Sequence, residues 1–217
     1  MTTPLDITIV SDVICPWCFV GTRRLSQVLE SMSDVVEPRI AYHAFLLDAG
    51  VPPEGADLRE RLRRKYQVDP ELMFRRIEAA AHATGIPLDF TRIRRTPNTI
   101  PAHTLLRHAR ERGTQPALSD ALFTAYFLEG QDIGDPAVLA ALATPFGFDA
   151  SEAARLVTNA DELARTRDEA ESAAQQGVRG VPYFVFGGKT GFSGAQAPEV
   201  YRAAITQALG GLRAENA

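Results

Sequence analysis

The sequence predicts an α/β fold in which a strand–helix–strand unit and a strand–strand–helix unit are separated by a long helical insertion. Three observations carry this expectation. Leu5–Ser11 is a largely apolar run with partial alternation that leads directly into Cys15-Pro16-Trp17-Cys18, as a buried strand feeding a reactive loop would. Strand character returns only at Glu37–Leu47 and again at Tyr183–Phe186. Between those two returns, residues 57–176 read as helix almost throughout.

Taken in order, the first helix follows the cysteines, because Phe19–Met32 sets Leu25, Val28 and Leu29 at helical spacing. Pro16 suits its first turn, where a missing N–H removes no intrahelical bond. Glu37–Leu47 is rich in aromatic and branched residues and forms the second strand. The cysteine loop then lies at the carboxyl end of the first strand, where open α/β sheets collect their chemistry. Insertion helices are expected near 57–66, 70–84, 99–112, 116–129, 136–144, 150–157 and 160–176. Asp69-Pro70, Gly85-Ile86-Pro87, Thr96-Pro97-Asn98, Gly113, Gly130, Asp135-Pro136 and Gly147 divide them. Asn98 is the expected N-cap of the third. Tyr183–Phe186, a Gly187-Gly188 turn and Lys189–Ser193 read as a hairpin. Pro198 then opens a last helix, Glu199–Leu209, with Gly210-Gly211 as its stop. Residues 1–56 and 177–217 thus form one core, and 57–176 are an insertion too embedded to stand as an independent domain.

The 217 residues are 45% hydrophobic and 23% charged, enough for one elaborated domain with a proper core and unlike collagen-like or disordered chains. No apolar stretch approaches membrane-spanning length. The opening Met1–Thr8 has neither a basic nor an apolar region of a secretory signal, so a cytoplasmic location is expected. A net charge of −4 argues against a nucleic-acid partner. The basic run Arg59–Lys65 reads as a solvated helix face, and Asp149–Glu171 as an acidic one.

Both cysteines of the chain fall within four residues, so structural stapling is the wrong interpretation in a reducing compartment. Residues three apart on a helix lie about 5–6 Å apart, within the span a disulfide accepts. Cys15 at the helix N-terminus is favoured as a thiolate by unpaired N–H groups and the helix dipole, which makes it the nucleophile. Cys18, one turn in and shielded, can attack the resulting mixed disulfide. A zinc site using His103 and His108 is the bland competitor, but it lacks a second cysteine pair; inert packing is the other.

Trp17 is expected to face substrate beside an exposed nucleophile. Asp12 either modulates the thiol, by raising its pKa or relaying its proton, or caps the loop. His43 is expected to be a hydrogen-bonded structural residue. His103 is a second candidate modulator that would line the cleft. Phe74, Ile77, Leu105, Leu106, Leu122 and Phe127 are expected in the core. In Gly180-Val181-Pro182-Tyr183 the proline opens a strand, either in a special, cis turn or as an ordinary trans loop proline.

Together, Ser11-Asp12-Val13-Ile14-Cys15-Pro16-Trp17-Cys18, Pro97-Asn98-Thr99 with Ala102-His103, Leu122–Phe127, Gly180–Val185 and Phe192–Gln196 resemble the thioredoxin superfamily. Within it they look like the DsbA-like thiol–disulfide oxidoreductases, most specifically the FrnE-type cytosolic branch. The resemblance covers nearly the whole chain. It implies a thioredoxin-like fold, with a mixed four-stranded sheet and an all-helical insertion over the active site. It also implies that Cys15 attacks and Cys18 resolves, with Pro16 and Trp17 between them. Pro182 would be cis against the disulfide, and the Val181 backbone would pair with an extended substrate. The expected partners are protein or small-molecule thiols and disulfides. No metal or cofactor is implied beyond the redox-active disulfide, with glutathione a candidate co-substrate. Glutathione-dependent isomerases and transferases of the 2-hydroxychromene-2-carboxylate isomerase type share this architecture but typically carry serine at the Cys15 position. A peptide-binding or chaperone-like module is the non-enzymatic alternative.

Overall fold

The computed structural model describes residues 2–215. A four-stranded sheet of order β2-β1-β5-β6 is built from β1 (Thr3–Ser11), β2 (Val36–Ala44), β5 (Tyr183–Phe186) and β6 (Thr190–Ser193). β1 and β2 run parallel, whereas β5 is antiparallel to both β1 and β6. The parallel pair requires a crossover, and α1 (Pro16–Glu30) supplies it. The antiparallel pair β5–β6 needs only a tight turn. Gly187 and Gly188 both take positive φ, 58° and 71°, a conformation that favours glycine over residues with a Cβ.

The insertion comprises α2 (Leu58–Tyr66), α3 (Pro70–His82), α4 (Ile100–Glu111), α5 (Gln115–Phe127), α6 (Pro136–Ala143), α7 (Ala150–Leu156) and α8 (Ala160–Gln175). It is not purely helical. β3 (Ala56–Asp57) pairs antiparallel with β4 (Arg95–Thr96), a two-residue ladder too short to leave any periodicity in the sequence. Aspartates start several helices: Asp57, Asp69, Asp135 and Asp149 each accept a first-turn N–H.

Two expectations about helix ends are corrected. The N-cap position of α4 is Thr99, and Asn98 lies one residue outside it. Its side chain still serves the helix start, accepting from the Ile100 N–H at 3.1 Å while donating to the Val51 carbonyl at 2.9 Å. At the other end of the chain, α9 runs Pro198–Glu215, through Gly210-Gly211. Neither glycine takes positive φ, and a glycine ends a helix only where the chain turns left-handed.

The core has two parts. One packs Leu5, Ile7 and Ile9 of β1 against Leu25 and Val28 of α1 and Ile205 of α9. The other joins Cys18, Phe19 and Val20 at the start of α1 to the insertion. Phe19 stacks on Phe123 and Phe127, with ring centroids 5.3 and 5.6 Å away. The six apolar residues singled out by helical spacing are all buried there.

The acidic stretch is not simply a solvated face, because two of its carboxylates turn inward. Glu162 accepts from Arg107 and His108, and Glu169 accepts from Arg110 at 3.0 Å. His43 Nδ1 lies 3.4 Å from Glu169, so His43 has the structural role expected of it. Burial raises the Glu169 pKa, but hydrogen bonds from His43 and Arg110 outweigh it and bring the value to about 2. A carboxyl whose pKa is depressed on folding stabilises the protein above its unfolded value, and that stability is lost as pH falls through the folded value. Between about pH 4.3 and the folded pKa near 2, the α8 contact with α4 and β2 should therefore weaken. Urea titrations should show a shallower acid decline for Glu169→Gln than for the native chain; parallel declines would contradict this.

Candidate active site

Cys15 is the N-cap residue of α1, with extended backbone (φ −85°, ψ 111°), and proline occupies the first turn behind it. Its own N–H donates to the Asp12 carbonyl at 3.0 Å, and the Cys18 N–H donates to the Cys15 carbonyl at 3.0 Å. That pair of turns sets the Cys15 sulfur at the positive end of a 15-residue helix with no acidic residue in its first turn. Both cysteines are free thiols. Cys15 is 3% exposed and Cys18 0%, so the expected exposed nucleophile is a buried one reached through a cavity. Burial first, then the neighbouring Cys15, pushes the Cys18 thiol well above its ordinary value.

The Val181–Pro182 bond is cis. The Cys15 thiol faces this loop and donates to the Val181 carbonyl at a sulfur–oxygen distance of 3.8 Å. Gly21 lets α1 approach: a Cβ there would lie 3.1 Å from Pro182 Cγ and 3.2 Å from the Tyr201 hydroxyl.

A cavity of ≈ 250 Å³ opens beside Cys15 and is lined by Pro16, Trp17 and Val181 together with residues of α2, α3 and α5. Leu62, Met73, Phe74 and Phe127 give it apolar walls. Tyr126 adds a buried phenol whose hydroxyl donates to the Arg95 carbonyl at 3.0 Å, and burial pushes its pKa up. Arg61 and Lys65 also line it. Arg61 makes two hydrogen bonds to Asp48, at 2.8 and 2.7 Å, which hold that carboxyl below its usual range. The basic run is thus not a uniformly solvated face. One turn of α2 separates Arg61 from Lys65, so both point to the cavity, while Arg63 and Arg64 remain exposed. Trp17 is half-buried on the cavity wall, with the Arg76 guanidinium 6.0 Å from its ring.

Four of the residues expected at the site, Cys15, Pro16, Trp17 and Val181, meet at this cavity. Pro182 abuts α1 at Gly21. Asp12 and His103 do not reach the cavity. Asp12 is fully buried; its carboxylate accepts from the Leu47 N–H at 2.7 Å, the Ile14 N–H at 3.5 Å and His103 Nε2 at 3.2 Å. His103 is only 4% exposed and does not line the cleft, because α4 presents it to Asp12 behind the cysteine loop. His108 is committed to Glu162 instead. Sequence reasoning missed Arg61, Lys65 and Tyr126 as cavity residues. The one available signal was the i, i+4 spacing of the two cations.

A mixed sheet of this order, a Cys-x-x-Cys pair at the start of the first helix and a cis-proline loop facing it define the thioredoxin class, here with a helical insertion. The chain matches the DSBA-like thioredoxin domain over residues 6–206, and it belongs to that family. It is 26% identical over 203 residues to the uncharacterized protein YwbO of Bacillus subtilis, covering 93% of this chain and 96% of that one. It is similar to the crystal structure of a probable DsbA oxidoreductase from Streptomyces coelicolor, with 33% identity, a TM-score of 0.84 and coverage of 95% and 90%. It also shares its fold with a cytosolic disulfide reductase, DsbM, from Pseudomonas aeruginosa solved with glutathione, at 18% identity, a TM-score of 0.59 and coverage of 94% and 98%. The protein is a thiol–disulfide oxidoreductase.

Proposed function

We propose that the chain exchanges disulfides through Cys15 and Cys18, as a cytoplasmic member of the FrnE-type branch. The observation that carries this is the unequal access of the two sulfurs: Cys15 borders the cavity and Cys18 does not. The Cys15 thiolate attacks a substrate disulfide, forming a mixed disulfide and releasing one substrate thiolate. Cys18 then attacks the Cys15 sulfur, which forms the Cys15–Cys18 bond and releases the second substrate thiol. The substrate is reduced by two electrons and the enzyme dithiol is oxidised by two. No cofactor enters either step.

Each neighbour has a role in this scheme. Pro16 starts the helix that activates Cys15, and Trp17 with the apolar walls receives the group attached to the attacked sulfur. The Val181 carbonyl, already bonded to the Cys15 thiol, orients an extended substrate segment, and Pro182 holds that loop against α1. Arg61 and Lys65 favour a carboxylate on the substrate, a feature of glutathione as well as of peptides. The cytoplasmic assignment rests on cysteine usage, since the chain's two cysteines both belong to the exchanging pair and leave none for a structural bridge. Among the described residues no helix is long and apolar enough to cross a membrane.

The test is to add glutathione disulfide or an unfolded disulfide-bonded protein to the reduced chain. Mass spectrometry should find the chain lighter by two hydrogens, with Cys15 linked to Cys18. Two free thiols after prolonged exposure to both oxidants would defeat the proposal, and glutathione-dependent isomerisation without that linkage would favour the isomerase type.

A further inference from the structure

Behind the cysteine pair, on the side away from the substrate cavity, lies a second cavity of ≈ 10 Å³, the space of about one water molecule. It is bordered by two buried polar groups that have no hydrogen-bond partner of good geometry, Ser11 Oγ and Arg110 Nε. Two orphaned polar atoms facing one water-sized space are the arrangement that a bridging water satisfies. His43, Arg110 and Glu169 line this cavity and also an open groove of ≈ 490 Å³ beyond it.

Ser11 also touches the chemistry. It ends β1 on the row of Leu5, Ile7 and Ile9, whose side chains pack against α1, so its hydroxyl lies under the first turn where Cys18 sits. The Ser11 hydroxyl and the Asp12 N–H both act on the Cys18 sulfur in the sense that favours its thiolate, against burial. Cys18 and Ser11 are both absent from the lining of the Cys15 cavity. Once a substrate half is bound to Cys15, that cavity is filled, and Cys18 must lose its proton another way before it can attack.

We propose that Ser11 is a catalytic residue of the resolving step, passing the Cys18 proton to a water held between Ser11 Oγ and Arg110 Nε. The proposal rests on the assignment of Cys15 as attacker and Cys18 as resolver. The Cys18 S–H bond breaks and its proton goes to Ser11 Oγ, while the Ser11 O–H proton passes to the water. From there it leaves past His43 and Glu169 to the open groove. The Cys18 electron pair forms the bond to the Cys15 sulfur, and the departing substrate thiolate takes a proton from solvent on the substrate side. The proton count closes, and the only oxidant is the substrate disulfide. Deprotonation and substrate release thus use opposite sides of the cysteine pair.

The experiment follows the two half-reactions separately with a small aromatic disulfide. Attack is read as the first thiol released, and is checked independently in Cys18→Ala. Resolution is read as the second. Ser11→Ala should leave attack unchanged and slow resolution by about 10- to 100-fold, the range for losing a hydrogen bond to a charged group. Ser11→Thr, which keeps the hydroxyl, should resolve at close to the native rate. Native resolution should slow in deuterium oxide, and that dependence should vanish in Ser11→Ala. Unchanged resolution in Ser11→Ala would overturn the proposal, as would equal slowing in Ser11→Thr. The native protein alone also tests it, because resolution insensitive to deuterium oxide would count against a proton relay. Absence of an attack phase in Cys18→Ala would instead defeat the assignment of Cys15.

Discussion

Replacing Cys18 with serine should turn the protein into a trap, whereas replacing Cys15 with serine should silence it. Cys15 is the sulfur that borders the substrate cavity, and it sits at the N-terminus of α1. Serine there has no thiolate to offer, so exchange should fall to the uncatalysed background. Cys18 is fully buried, and its burial and its raised pKa leave it unfit for first attack. Cys18→Ser should therefore still capture a substrate half on Cys15 and then stall, because nothing remains to displace it. Non-reducing electrophoresis and intact mass after exposure to a disulfide-bonded protein distinguish the two variants. Adducts on both, in similar yield, would show that the order of attack is wrong. A substrate released from Cys18→Ser as fast as from the native chain would show that external thiols rather than Cys18 do the resolving.

The second large effect is expected at a residue that never meets substrate. His103→Ala should cost about 3 kcal/mol, the upper end for leaving a buried polar group without its partner. Against a typical domain stability of about 5–15 kcal/mol, that is a substantial share. The cost arises at Asp12, which is fully buried and relies on His103 for one of its donors. Asp12 also holds the backbone at Ile14 and Leu47, so the loop on both sides of the Cys15 approach loosens with it. Chemical denaturation of His103→Ala, Asp12→Ala and the double variant forms a cycle. The double variant should cost clearly less than the two single losses added together. Strict additivity, or a His103→Ala loss below about 1 kcal/mol, would mean that the pair does not hold the loop.

Local chemistry is what the sequence displayed. Strand β1 showed its buried face, α1 its helical spacing, and Cys15-Pro16-Trp17-Cys18 the start of a reactive helix, all within about 30 consecutive residues. The family resemblance supplied the sheet and the cis proline that no local pattern could. What remained hidden was set by long-range placement. Arg61 and Lys65 look like any charged helix face until α2 is laid against the Asp48 loop. His103 looked like a cleft residue because its partner, Asp12, is 91 positions away. Gly210-Gly211 carries a stop signal, yet α9 continues through it, because propensity yields where packing of Tyr201, Ile205 and Leu209 already orients the helix.

Helix α1 belongs to both parts of the core. Cys18, Phe19 and Val20 are gripped by the insertion, and Leu25, Val28 and Leu29 by the sheet and α9. Mechanically it is a beam clamped at two points, with the reactive sulfur at one tip. Its 15 residues make a rod of about 22 Å, so a tilt of only about 3° moves that tip by about 1 Å. A displacement of that size is enough to lower a rate by about 100-fold. Volume changes at the far clamp, around Leu29 or Ile205, therefore act on Cys15 by leverage, and the rate of disulfide exchange becomes a gauge of packing at the opposite end of the helix.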